Sequence, residues 1–187
     1  LYYDRNGGFL KEKPIGFYAK DLSVLDDGSC VYYQLDGVNE KLKGMDDYCL
    51  LLTDDKQKVI NCSFPYSYRA FCSKFTFGRL IDFINTNDVT LFNPYLTNDI
   101  YEIKKNDIIT LKYKLDFGDR DILHKINNST TNQDYLKLIN SNDYLYFSGE
   151  FLESKQHLFF KFGNNSYCFF NTQTDSLVIG NHFSQKI

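Results

Sequence analysis

Five cysteines and three histidines are the residues here best suited to nucleophilic or metal chemistry. Cys30 stands in Asp27-Gly28-Ser29-Cys30-Val31-Tyr32-Tyr33, where an acidic turn delivers a thiol to the next element, and His182 lies near the other end of the chain. A cysteine of this kind becomes a nucleophile when an imidazole takes its proton and a helix N-terminus or a cation lowers its pKa. The residues after Cys30 are β-prone and meet Gly37 within about two helical turns, which favours a strand over that helix. His124, His157 and His182 have no Cys or His neighbour at ligand spacing, so no metal site is expected. A glycine-rich phosphate loop is also missing from the sequence, and the carboxylate pairs Asp46-Asp47 and Asp54-Asp55 read as turns.

Basic residues offer a different chemistry. Lys104, Lys105, Lys112, Lys114, Arg120 and Lys125 fall in one stretch with Tyr101, Tyr113 and Phe117, while Lys74 and Arg79 sit on a candidate helix. Cations beside aromatic rings can hold phosphates while bases stack. Asp107, Asp116, Asp119 and Asp121 interrupt the run, and a solvated charged strand is the competing reading. With a net charge of -3 and a pI of about 5.6, any nucleic-acid contact must come from such a local patch.

Cys30, Cys49, Cys62, Cys72 and Cys168 are odd in number and irregular in spacing, which predicts free thiols in a reducing compartment. Asn-x-Ser/Thr triplets at Asn61, Asn127, Asn128 and Asn164 support a rival, secreted and glycan-bearing interaction domain. The sequence contains no apolar run of the roughly 20 residues that a membrane span needs, so direct insertion is not expected. The opening LYYDRNGG has neither the basic start nor the apolar centre of a signal peptide, which suggests a piece of something longer.

The elements that would position these groups are mostly strands. Aromatic residues make up 17% of the chain and favour pleated, half-buried surfaces. Alternating runs predict strands in GFYAKDLSVL and SCVYYQL, then a hairpin of YCLLLT and KVINCSF with Asp54-Asp55 in its turn. Phe77, Leu80, Ile81 and Ile84 recur at helical spacing and predict a main helix from about Tyr68 to Ile84. Strands follow at VTLF, IYEI and DIITLKYKL, with Lys112 and Lys114 on one face. After the polar NNSTTNQ come a short helix at QDYLKLI and strands at DYLYFSGEFL, HLFFKFG, SYCFFN and SLVIGN. The fold class expected is α+β and β-rich, a central mixed sheet with one main helix followed by a smaller β-rich module. The expected units are residues 1–35, 36–127 and 128–187. No fixed repeat period is evident, so solenoids and propellers are set aside.

Two resemblances sharpen these expectations. DGSCVYY looks like the nucleophile motif of ovarian-tumour-type cysteine proteases and deubiquitinases, with Cys30 as nucleophile and His182 as base. From Leu1 to about Lys125 the chain also resembles non-structural protein 3 of coronaviruses, from the last strands of its papain-like protease into its nucleic-acid-binding domain. That likeness rests on LYYD, KPIGFYAKD, YYQLDGV, FCSKFTFGRLIDFI, VTLFNPYLTNDI and DILHKI occurring in one order. It implies that Asp4 is the acid of a Cys-His-Asp triad whose other members, with a zinc site, lie upstream. The segment would then not be an enzyme by itself. The resemblance further implies single-stranded RNA binding through Lys74, Arg79, Lys104, Lys105, Lys112, Lys114, Arg120 and Lys125. Other replicase subunits would be partners, with placement in the host cytoplasm at virus-induced membranes. The resulting functional expectation is a non-catalytic, scaffolding segment of a viral replicase.

Overall fold

Short strand-forming runs joined by tight turns pair most readily with their sequence neighbours, and this chain repeats that solution. The computed structural model describes residues 2–34, 39, 44–65, 83–86, 89–94, 97–104, 108–127, 129–163 and 166–180. A two-stranded ribbon of β1 (Tyr2–Tyr3) and β2 (Phe9–Lys11) comes first. Three four-stranded antiparallel sheets follow, each a meander in chain order. The first holds β3 (Asp21–Val24), β4 (Cys30–Tyr33), β5 (Tyr48–Thr53) and β6 (Val59–Pro65). The second holds β7 (Phe83–Thr86), β8 (Val89–Phe92), β9 (Asp99–Lys104) and β10 (Ile108–Lys114). The third holds β11 (Phe147–Glu153), β12 (His157–Phe162), β13 (Ser166–Asn171) and β14 (Ser176–Gly180).

Turn chemistry explains why the strands stop where they do. At β3–β4 the Leu25 N–H donates to the Ser29 carbonyl, and Gly28 takes a φ of +83° that residues with a Cβ avoid. At β5–β6 the Asp54 carboxylate accepts from the backbone N–H groups of Lys56 and Lys58, at 2.9 and 2.8 Å. At β13–β14 the Asn171 side-chain oxygen accepts from Gln173 and Thr174 in the same way. An Asp or Asn at the end of a strand thus satisfies backbone donors that the ladder leaves behind.

The sheets stack face to face in chain order. Leu25, Val31, Tyr33, Leu50 and Leu52 of the first sheet and its turn pack on Phe83, Phe92 and Ile103 of the second. The opposite face of the second sheet, through Leu91 and Ile100, packs on Phe147, Phe151, Leu158, Phe160, Phe162 and Cys168 of the third. Leu91 and Phe92 are adjacent, point to opposite faces and are both fully buried, because the middle sheet is covered twice. The outer face of the first sheet is covered in part by Ile15, Phe17 and Ala19 against Cys30, Tyr32 and Leu51.

The α+β expectation with one main helix is corrected by this arrangement. About half of the described residues are strand, their sheets are antiparallel rather than mixed, and the one helix among them is the short α1 (Asn132–Asn140). Residues 66–82, which carry most of the expected main helix, lie outside the described residues. Its last positions are strand: Phe83 pairs with Phe92 and Ile84 with Leu91 in β7–β8. Ile84 packs towards the third sheet and Phe83 towards the first, so apolar neighbours on a doubly covered strand imitated a helical stripe. Pairing also joins β4 to β5 across residue 35, where the first expected unit ended.

The connection from β10 to β11 carries the remaining local structure. Two 3-10 turns, Gly118–Arg120 and Ile122–His124, lead towards α1. The helix begins with a capping box in which Thr131 accepts from the Asp134 N–H and Asp134 accepts from the Thr131 N–H. Ile122 and Tyr135 form a small separate core with Leu138, Ile139, Tyr144 and Tyr146.

Candidate functional site

Strand β10 is interrupted by a register shift between Leu111 and Tyr113. Successive strand residues ordinarily face opposite ways, and an irregularity of this kind re-aims them. Here Lys112 and Tyr113 both reach Glu153 at the end of β11. Lys112 Nζ lies 2.8 Å from one carboxylate oxygen, and the Tyr113 hydroxyl donates to the other. Lys112 also lies 3.3 Å from Glu102 on β9, and Lys104 pairs with Glu102 at 2.6 Å. The carboxylates are largely withdrawn from solvent, with Glu102 14% and Glu153 11% exposed. Burial alone would raise the Glu102 carboxyl, but hydrogen bonds and charge from Lys104 and Lys112 outweigh it and hold it below its ordinary value. Burial, then the hydrogen bond and charge of Glu153, push the Tyr113 phenol up, so it stays a proton donor. The group is a charged rivet across the second and third sheets.

A second polar grouping lies beside α1. An open cleft of about 400 Å³ is lined by Lys125, Thr130, Asp134, Lys137, Asp143 and Tyr144, with the hydroxyls of Ser129 and Ser141. Lys125 Nζ stands 5.8 Å from the centre of the Tyr144 ring. Asp134 is held below its ordinary carboxyl range by its side-chain and backbone hydrogen bonds with Thr131. Arg120 braces the nearby chain through the carbonyls of Asp143 and Asn142, at 3.1 and 2.5 Å.

The sequence-derived candidates do not converge. Asp4 is exposed and accepts from the Asn6 and Gly8 N–H groups at 2.8 Å each, which makes it the organiser of the β1–β2 turn. Cys30 opens β4 and is buried, with Gln57 Nε2 3.4 Å from its sulfur, and no helix begins there. His182 lies outside the described residues, as do Lys74, Arg79 and Lys105. Lys104 and Lys112 are engaged by carboxylates, Lys114 is exposed and paired in register opposite Asp99, and Lys125 belongs to the cleft. His157 faces Asn171 across a strand pair, with 3.3 Å between His157 Nε2 and Asn171 Nδ2. Burial pushes the Cys168 thiol up to about 11, so it is a core residue rather than a reactive one. Among the described residues no group of His, Cys, Asp and Glu is arranged to hold a metal ion. Glu102 and Glu153 escaped the sequence reading. The signal for Glu102 was a carboxylate inside the apolar strand IYEIK, whereas the part played by Glu153 depends on a bulge that composition does not announce.

Comparison with known proteins fixes what the three meanders are. No curated protein matches the sequence significantly. The crystal structure of a Bacteroides fragilis protein described as exported superimposes with a TM-score of 0.72 at 18% identity, over 96% of this chain and 51% of that one. The chain therefore spans about half the length of that structure. The family model described as a six-bladed β-propeller, DUF5128, matches residues 1–184. These findings overturn the coronavirus resemblance and the replicase, RNA-binding and ovarian-tumour-type protease functions drawn from the sequence. Part of the physical reason is visible in the fold: VTLF and Cys30–Tyr33 are strands of four-stranded sheets, LYYD belongs to the two-stranded ribbon and DILHKI holds a 3-10 turn, while residues 71–82 lie outside the described residues. Setting propellers aside for want of a fixed period was likewise an error, and the chain belongs to the DUF5128 family of six-bladed β-propellers.

Proposed function

We propose that this chain is a binding segment of a propeller, taking a small, neutral, hydroxyl-rich ligand such as a saccharide in the cleft beside α1. The observation that carries this reading is the lining of that cleft. Two lysines and two aspartates line it, so the charges balance, and the rest of the lining is serine and threonine hydroxyls, Leu138 and one tyrosine ring. Carboxylates accept from vicinal hydroxyls, ammonium groups donate to their oxygens, and an aromatic face packs on the apolar side of a sugar ring. A polyanion would gain little from such a balanced site. The propeller supplies a rigid base from which the β10–β11 connection projects, and loops on rigid scaffolds commonly carry binding. The exported character of the structural relative makes a location outside the cytoplasm part of the same proposal.

The test is titration of the 187-residue chain with neutral mono- and disaccharides, followed by backbone NMR shifts. Shifts confined to residues 125–144, lost in Lys125→Ala and Tyr144→Ala and insensitive to salt, are expected. Binding of oligonucleotide in place of saccharide, weakening steeply with salt, would overturn the proposal.

A further inference from the structure

The four charged side chains of the α1 cleft are not equally available to a ligand. Asp134 is occupied by the helix it caps. One of its carboxylate oxygens lies 2.6 Å from Thr131 Oγ1 and 3.2 Å from the Thr131 backbone nitrogen, and the other pairs with Lys137 at 3.9 Å. Turning Asp134 towards a ligand would undo the capping box. The Asp143 carboxylate and the Lys125 ammonium group, by contrast, make no hydrogen bond or ion pair among the described residues. The backbone that carries Asp143 is nevertheless fixed. Arg120 Nε donates to the Asp143 carbonyl at 3.1 Å, Arg120 Nη2 to the Asn142 carbonyl at 2.5 Å, and the Leu145 N–H to the Arg120 carbonyl at 2.7 Å. The next residue, Asp121, is buried and accepts from Asn98 Nδ2 at 2.6 Å, which ties this brace to the second sheet just before β9.

We propose that Lys125 and Asp143 are the residues that read the ligand, that Arg120 is the positioning residue for Asp143, and that the ligand class is a sugar ring bearing a vicinal diol. The assignment rests on the saccharide reading of this cleft and deepens it. One ring hydroxyl donates to the carboxylate while its neighbour accepts from the ammonium group, a division of roles that adjacent hydroxyls can fill and isolated ones cannot. The Tyr144 ring follows Asp143 in the chain and lies 5.8 Å from Lys125 Nζ, which sets an apolar surface beside both groups. A carboxylate whose backbone is already braced has less freedom to lose on binding, and this is how Arg120 acts without itself lining the cleft.

The experiment is titration of the 187-residue chain and its variants with methyl glucoside and with its fully O-methylated form, which accepts hydrogen bonds but cannot donate them. Lys125→Ala and Asp143→Ala should each weaken binding of the parent sugar by about tenfold or more, and Lys137→Ala by less than either. The preference for the parent over the methylated sugar should shrink in Asp143→Ala and persist in Lys125→Ala, because only the carboxylate takes hydroxyl protons. Arg120→Ala should weaken binding and speed amide exchange at residues 142–145 with an unchanged far-ultraviolet circular dichroism spectrum. Arg120→Lys, which can still donate to a carbonyl, should recover part of both. Equal losses at Lys125, Asp143 and Lys137, or a sugar preference unchanged in Asp143→Ala, would overturn this assignment and leave the saccharide reading standing. No wild-type binding of any neutral sugar would sink that reading and the assignment with it. Unchanged exchange at 142–145 in Arg120→Ala would refute the brace in either case, since exchange is read without ligand.

Discussion

The two seams inside this chain bury similar aromatic cores and fasten them with different polar chemistry. Between the first and second sheets, Phe83, Phe92, Tyr33 and Phe64 cluster, with ring centroids 5.4 to 5.8 Å from that of Phe92. The polar fastening there is neutral. Ser23 Oγ lies 2.6 Å from Asn85 Oδ1 and 2.8 Å from Thr90 Oγ1, and Thr90 Oγ1 lies 2.9 Å from the same Asn85 oxygen. Two hydroxyl protons serve these three contacts, so one contact has no proton at any instant. Between the second and third sheets the rings are Phe147, Phe151, Phe160 and Phe162, and the fastening is the Lys112, Glu102, Glu153 and Tyr113 group. The difference teaches that one packing step can be locked by groups that ignore pH or by groups that do not.

The comparison breaks most severely if a shared aromatic is removed. Phe92→Ala empties a fully buried position at the centre of the first seam and should cost about 3–5 kcal/mol, read from urea unfolding. A cost under about 1 kcal/mol would mean that this seam is not the core of the structure. Next comes Glu153→Ala, which leaves Lys112 with Glu102 alone and strips the Tyr113 hydroxyl of its acceptor. About 1–3 kcal/mol is expected, with faster hydrogen exchange in β10 and β11 than in β3 and β7.

Acid sharpens the contrast further. Glu102 titrates in the fold below its ordinary value of 4.5, so its contribution is complete above that pH and is lost as pH falls through the lower, folded value. Exchange protection at the second seam should therefore fall in acid before protection at the first, and Glu102→Gln should abolish the difference. Protection lost equally at both seams would show that the charged group does not govern the second. The smallest effect belongs to Ser23→Ala, about 1 kcal/mol, which should be the same at pH 4 and pH 7 because only neutral groups are involved.

Much of the local structure was legible in the sequence, because its causes are local. The hairpin of β5 and β6 follows from alternating apolar residues and the Asp54 turn, and the strands from β11 to β14 were read by the same rule. The short helix at α1 was also legible, from its polar approach and apolar stripe. The repeat was not, because it lives in hydrogen-bond topology rather than in residues. Its connectors also differ in length, with residues 66–82 between the first two sheets and 115–146 between the last two, so no fixed period emerges. Lysines on a strand suggested a phosphate-binding face because Glu102 on the neighbouring strand was overlooked and the other carboxylate partner lies far along the chain. Lys112 and Glu153 are 41 residues apart, and only the stacking of sheets brings them together.

Every ladder partner in these sheets is the next strand along the chain. Backbone bonding therefore requires only short loops to close, a small entropic toll, and each meander can zip up without waiting for a remote segment. Long-distance order is left to side chains in the seams, which places the slow step of folding at the docking of finished units. A polypeptide assembled like beads on a string can also lose or gain a whole bead without disturbing the bonding inside its neighbours.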